Sequence, residues 1–266
     1  MKRPLPDLLL RALALCLIAL PAGAQQSGAA LSACASHTPP FVMFADEQPV
    51  GGFSYELLQA LSRRMGRSLR VSALPWARCL QAVKAGDVDL AIDAYDDAER
   101  RKSYWYSSSY HTLTPQIFFK ARSLIDTLQI NQVRDLQRFR GCGVRDYTYE
   151  HYDLEATQLD RGAGDDLRML QKLQAGHCDY AVEELEYIIG ARSFVANWLD
   201  ESGLKSMRPA WARGPQVHFL IGKGRAGGQD LLAELDQAIA GAEKAGQTAA
   251  LRKQYFDPAY KPARKR

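Results

Sequence analysis

The run LQAVKAGDVDLAI, from Leu80 to Ile92, returns ninety residues later as LQKLQAGHCDYAV, from Leu170 to Val182. Leucine, glutamine, alanine, glycine, aspartate and a second alanine keep their register. Each copy reads as a short amphipathic helix that stops at a glycine, Gly86 or Gly176, and passes into an apolar strand; glycine suits the left-handed residue that ends a helix. The repeat therefore predicts two similar lobes. Both copies run on into acidic and hydrogen-bonding residues, so the two strand ends can face one another across a cleft as opposite walls of one site.

Period-two apolar runs predict strands near Leu31 to Ala35, Leu69 to Leu74, Val88 to Ile92, Gln116 to Lys120, Gly143 to Arg145, Asp179 to Val182 and Val217 to Ile221. Helical patterns lie between most of them: Phe53 to Met65 after Gly51-Gly52, Leu167 to Ala175, and Gly228 to Tyr255 as two helices broken near Gly246. Alternation of this kind predicts an α/β fold with mostly parallel sheets covered on both faces. The first lobe is expected over residues 25–117 plus 221–266, and the second over 118–220, with Val217 to Ile221 as the returning of two crossing hinge strands.

At 266 residues, 47% hydrophobic and 24% charged, the chain has enough apolar material for one large or two modest domains. Lys2 and Arg3, an apolar stretch from Leu8 to Pro21 broken only by Arg11, and Ala22-Gly23-Ala24 form a secretory signal pattern over residues 1–24. Leu31-Ser32-Ala33-Cys34 has the look of a lipoprotein box, but Gln25, Gln26 and Ser27 separate it from the apolar stretch it should follow. The expected location is the periplasm, as a soluble monomer. Without the signal the formal charge falls from +4 to +2, and the tail Lys261, Arg264, Lys265 and Arg266 accounts for more than all of it, so no nucleic-acid footprint is left.

Cys16 leaves with the signal, and Cys34, Cys79, Cys142 and Cys178 form an even set that suits an oxidising compartment. Three connectivities exist. Cys142 and Cys178 each begin a predicted strand of the second lobe, so adjacent parallel strands would join them and leave Cys34 with Cys79 in the first. The alternative, metal binding, lacks a Cys-x-x-Cys pair or helical histidine spacing. The five histidines, His37, His111, His151, His177 and His218, form no cluster, and no metal or cofactor is expected.

Gly222-Lys223-Gly224-Arg225-Ala226-Gly227 matches the G-x-G-x-x-G dinucleotide pattern. That fingerprint also needs a further strand and an acidic residue about 20 positions on. After Leu231 the chain reads as helix to its end, so the glycines are read as a surface turn.

Glu99, Arg100, Ser107 and Tyr110 keep the spacing of a pattern in which serine stands seven and tyrosine ten residues beyond an arginine. Gly52-Phe53, Trp76, Gly143-Val144, the run Val217 to Lys223, Gly246 and Tyr255-Phe256 fall in matching order. With these motifs the chain resembles the periplasmic solute-binding proteins of family 3, the amino-acid-type binding proteins of ABC importers, over nearly its whole mature length. The resemblance implies the two-lobed type II periplasmic-binding-protein fold. It also implies that Arg100 grips an anionic ligand group with its planar pair of donors, that Trp76 stacks on the ligand, and that Glu184 pairs with its ammonium. Asp93, Tyr95, Tyr147, Thr148 and Tyr149 complete the expected ligand-binding set.

Two departures stand out. Asp97 replaces the family's usual threonine; an ionised aspartate cannot donate to a carboxylate but makes a good helix N-cap. Asp146-Tyr147-Thr148-Tyr149 replaces a Gly-Thr-Thr type loop. Glu183, beside Glu184 in a strand, is expected to face the other way.

The function so implied is a non-catalytic receptor that closes on a small polar ligand, an amino acid or related carboxylate, and delivers it to an inner-membrane ABC permease. Two alternatives use the same fold: a periplasmic enzyme of the cyclohexadienyl-dehydratase kind, with Glu184 or Asp93 as general acid, and a ligand-sensing accessory to a membrane receptor.

Overall fold

A computed structural model describes residues 28–145, 147, 149–191 and 203–256. The proposed signal segment, Asp146, Thr148 and the basic tail lie outside the described residues.

The first sheet has the order β4-β1-β5-β13-β6, formed by β1 (Gly28–Ala35), β4 (Arg67–Ala73), β5 (Leu90–Tyr95), β6 (Tyr104–Tyr106) and β13 (Gln216–Gly222), with β7 (His111–Thr112) pairing β13. The second has the order β10-β9-β11-β8-β12, from β8 (Pro115–Lys120), β9 (Gly141–Val144), β10 (Leu159–Ala163), β11 (Tyr180–Glu184) and β12 (Leu204–Met207). In both, three strands run parallel and a fourth lies antiparallel beside them: β4, β1 and β5 with β13, and β10, β9 and β11 with β8. A hairpin of β2 (Met43–Ala45) and β3 (Gln48–Gly51) precedes the first helix.

The repeat read in the sequence occupies equivalent places in the two sheets. Helix α2 (Trp76–Ala85) ends at Gly86 with φ 85°, and the chain enters β5; helix α3 (Asp166–Ala175) ends at Gly176 with φ 79° and enters β11. Side chains with a Cβ rarely adopt that left-handed backbone, which is why glycine recurs there. Asp165 caps α3 by accepting the Arg168 N–H at 2.8 Å.

Helix α1 (Phe53–Arg64) packs Phe53, Leu57, Leu58 and Leu61 on the first sheet, each fully buried, and meets α5 (Gly228–Lys244) and α6 (Gln247–Phe256) in the same core. Burial of one such side chain stabilises by roughly 1.5–3 kcal/mol. Helix α3 covers one face of the second sheet through Met169, Leu170 and Leu173. The other face packs Tyr149, Tyr152, Tyr180 and Val182. Helix α4 (Leu185–Ala191) follows β11 directly, and Tyr187 reaches from it to Phe41 in the first core, with ring centres 4.9 Å apart.

All seven predicted strands form, with boundaries moved by up to a few residues. One assignment shifts. Val217 to Leu220 were expected with the second lobe, yet the strand they belong to pairs with β5, β6 and β7 in the first sheet. Val217, Phe219, Leu220 and Ile221 are fully buried, and a strand apolar on both faces belongs in the middle of a sheet. The chain crosses forward between β7 and β8 and returns between β12 and β13. The two crossings run side by side, where the Leu113 N–H donates to the Pro215 carbonyl at 2.9 Å.

Both expected disulfides are present, Cys34–Cys79 between β1 and α2, and Cys142–Cys178 between β9 and the approach to β11. The glycine-rich turn is a packing device. A Cβ on Gly222 would lie 2.2 Å from the Val83 carbonyl oxygen, and one on Gly228 would lie 2.5 Å from the Trp105 ring.

Candidate functional site

In sheets of this kind ligands bind beyond the carboxyl ends of the parallel strands. There β5 ends in Asp93 and Tyr95, β9 runs into the loop holding Tyr147 and Tyr149, and β11 ends in Glu183 and Glu184. The two ends meet. The Tyr95 hydroxyl lies 3.1 Å from that of Tyr187 on α4.

On the first lobe, Asp93 is held in the left-handed region at φ 63°. Its Oδ1 accepts hydrogen bonds from the hydroxyls of Ser54 and Tyr110, the latter at 2.7 Å, while Oδ2 is buried without a partner among the described residues. Burial pushes the carboxyl up to about 6, against the two hydroxyl donors and the nearby His111, which favour its charged form. An acceptor oxygen left over in a buried place is suited to a ligand N–H.

Arg100 opens a single 3-10 turn, Arg100–Lys102. The Asp97 carboxylate accepts the Arg100 N–H at 2.7 Å, although the N-cap position of the turn is Glu99 and not Asp97 as expected. The neighbouring acids are taken by other cations: Asp96 forms a two-point pair with Arg101 at 2.6 and 2.7 Å, and Glu99 pairs with Lys102. The Arg100 guanidinium is half-buried, 5.8 Å from the centre of the Trp76 ring, with one long 3.5 Å contact to the Tyr95 carbonyl. Among the described residues no carboxylate pairs with it.

On the second lobe, Glu184 is 3% exposed and its Oε1 lies 2.6 Å from His151 Nε2. Burial, the largest single influence, would raise its carboxyl; the hydrogen bond with His151, the one with Glu183 and the attraction of His151 together outweigh it and hold the carboxyl below the usual range. Glu183, expected to face away from its neighbour, is buried with its Oε1 accepting the Glu184 N–H at 3.0 Å, and its carboxyl interacts with those of both Glu184 and Asp166 on α3. Burial, then Asp166 and Glu184, drive the Glu183 carboxyl well up.

Tyr147 is 38% exposed beside these acids. Tyr149 is not presented to the cleft: it is buried in the core of the second lobe, and its hydroxyl accepts the Val144 N–H at 2.6 Å. A loop tyrosine two residues from an exposed one gave no sign of that direction, but Gly143 did, since a Cβ there would lie 2.7 Å from the Tyr149 hydroxyl. Thr148 lies outside the described residues.

Sequence reasoning missed His151, Asp166, Ser54 and Tyr187. Each finds its partner through the fold, 17 to 92 positions away. Among the described residues no group of three or more metal-ligating side chains is arranged around one point.

The family model for bacterial extracellular solute-binding proteins, family 3, matches residues 31–258. The chain belongs to that family. Solved structures agree on the fold at low identity. The substrate-binding protein of an amino acid ABC transporter aligns at TM-score 0.63 and 20% identity, over 86% of this chain and 99% of its own. A histidine kinase sensor domain with similarity to periplasmic binding proteins aligns at 0.67 and 21%, over 88% and 98%. The ancestral amino-acid-binding protein AncCDT-1, described as a precursor of cyclohexadienyl dehydratase, aligns at 0.65 and 18%, over 86% and 96%. No curated protein matches the chain in sequence.

Proposed function

We propose that this family 3 protein is a periplasmic receptor for a small ligand bearing a carboxylate and an ammonium, an amino acid or a relative, which it delivers to an ABC permease. The observation that carries this reading is the Arg100 guanidinium. It is half-buried and backed by Trp76, and among the described residues no carboxylate pairs with it, Asp96 and Glu99 being held by Arg101 and Lys102 and Asp97 by the Arg100 backbone N–H. Its planar donor fork fits a carboxylate. Asp93 Oδ2 from the first lobe and Glu184 from the second are the acceptors for an ammonium. A ligand touching both lobes favours the closed arrangement, and a permease reads that closure as a loaded receptor. Cleavage of residues 1–24 gives the exported form.

Titration with amino acids by calorimetry and thermal shift tests the proposal. Stoichiometric capture without turnover is the expected result, and a chain inert to every amino acid and small carboxylate offered would refute it.

Asp93 supports a second reading. A carboxyl pushed up to about 6 with one unpartnered oxygen has the character of a general acid. Product formation from a prephenate-like or arogenate-like acid, lost in Asp93→Asn, would favour an enzyme over a receptor.

A further inference from the structure

Helix α4 belongs to both lobes. Tyr187 packs in the first core, and its neighbour Ile188 packs in the second. The helix starts directly after β11, and its Leu185 N–H donates to the carbonyl of Thr114, on the forward crossing, at 2.8 Å. Glu186 is buried beside it; its Oε2 accepts the Thr114 N–H and its Oε1 the Thr114 hydroxyl, both at 2.9 Å. One hinge residue is thus tied by backbone and side chain to the first turn of α4.

A histidine of the first sheet meets this link. His111, in β7, pairs through its backbone with Val217 of β13, and its ring stacks on Phe256 with centres 4.8 Å apart and packs against Phe53 at 5.3 Å. Its Nε2 lies 3.3 Å from Glu186 Oε1, inside the range of an ion pair, yet makes no hydrogen bond among the described residues. The two side chains are only 8% and 7% exposed, so water screens the contact little. Among the described residues no lysine or arginine pairs with Glu186. A buried carboxylate without a paired charge is costly, and an imidazole is the side chain that gains a charge near neutral pH.

We propose that His111 and Glu186 form a proton-operated clasp across the hinge. A proton on the His111 ring turns this contact between the lobes into an ion pair, and any opening that parts β7 from α4 has to break it. Acid therefore favours the arrangement in which Tyr95 and Tyr187 meet. The gain is complete where the imidazole is protonated and is lost as pH rises past the ordinary histidine value of about 6.5. The other ionisable groups around the ring are Tyr110, Asp93, Tyr187 and Arg252 of α6, whose guanidinium is held by Glu243 and the Tyr110 carbonyl. Asp93 also titrates in this window, at about 6. Its donors Ser54 and Tyr110 both belong to the first lobe, so its proton ties nothing across the hinge. The clasp needs no ligand and is independent of the receptor reading.

Hydrogen exchange of the unliganded full chain tests this, read by mass spectrometry on the peptides holding Thr114 and Leu185 and corrected for the intrinsic effect of pH on exchange. Protection of those peptides should rise about tenfold from about pH 8 to about pH 5.5 in the wild-type chain. The rise should vanish in Glu186→Gln and in His111→Gln, each shown to be folded by its melting temperature, and should persist in Asp93→Asn. A flat wild-type profile would overturn the clasp without recourse to any variant. So would a rise of equal size in either folded variant, which would place the titrating group elsewhere, or a rise abolished by Asp93→Asn. Where Glu186→Gln does not fold, the loss or persistence of the rise in His111→Gln decides alone.

Discussion

Arg100 lies against Trp76, guanidinium carbon to ring centre 5.8 Å, and among the described residues no acid pairs with the guanidinium, Asp96 and Glu99 being held by Arg101 and Lys102. A cation over an indole face is attracted by the ring quadrupole, so Trp76 steadies the guanidinium while leaving its hydrogen-bond donors free. Arg100→Ala should remove the ligand-dependent rise in melting temperature and leave the unliganded melting temperature nearly unchanged. The loss of a charge-assisted bond of roughly 1.5–3 kcal/mol corresponds to about 10- to 150-fold in affinity, measured by calorimetry. An unaltered ligand response would exclude Arg100 from the site.

Asp93 gives the stability an unusual slope with pH. A carboxyl raised in the folded state holds its proton more tightly there than in the unfolded chain. Its contribution is therefore complete below the ordinary value of 3.8 and is lost as pH rises towards about 6. Stability should fall across that window by on the order of 2–3 kcal/mol, and Asp93→Asn should flatten the fall in urea titrations. Affinity for an ammonium ligand should rise over the same range, as Asp93 ionises.

Glu184 has the opposite sign. Its lowered carboxyl contributes stability above the ordinary value of 4.5, and this is lost as pH falls through the folded value. His151→Ala should strand a buried carboxylate, at a cost of about 3–5 kcal/mol near neutral pH. The cost should shrink in acid as Glu184 protonates. A pH-independent penalty in chemical denaturation would show that His151 serves packing alone.

Gly214 lies where the returning segment passes the forward one. A Cβ there would sit 2.0 Å from the Leu113 carbonyl oxygen. Gly214→Ala should force the two crossings apart. Small-angle scattering should report a changed lobe separation, and ligand affinity should drop more than the melting temperature does.

The repeated helix, glycine stop and strand were legible because periodicity and a left-handed residue are local properties. Leu159–Ala163 and Leu204–Met207 were not. Both are short edge strands, buried at only some positions, so the alternation ends before a pattern forms. Within the site, the spacing that placed Arg100, Trp76 and Glu184 is carried along the chain. The pairing of His151 with Glu184 and of Asp166 with Glu183 depends on which strand lies beside which, and no local signal records it. Tyr149 was assigned to the cleft for the same reason: its direction is set by Val144, five residues back in the adjoining strand.

The two disulfides divide the molecule mechanically. Cys34–Cys79 closes a segment of 45 positions and Cys142–Cys178 one of 36, each worth about 3–4 kcal/mol by limiting the unfolded chain, and each joins parts of a single lobe. Neither bridge spans the two crossings. Oxidation thus makes two stiff plates and leaves the joint between them unlocked, so an oxidising compartment hardens the jaws without fixing the bite.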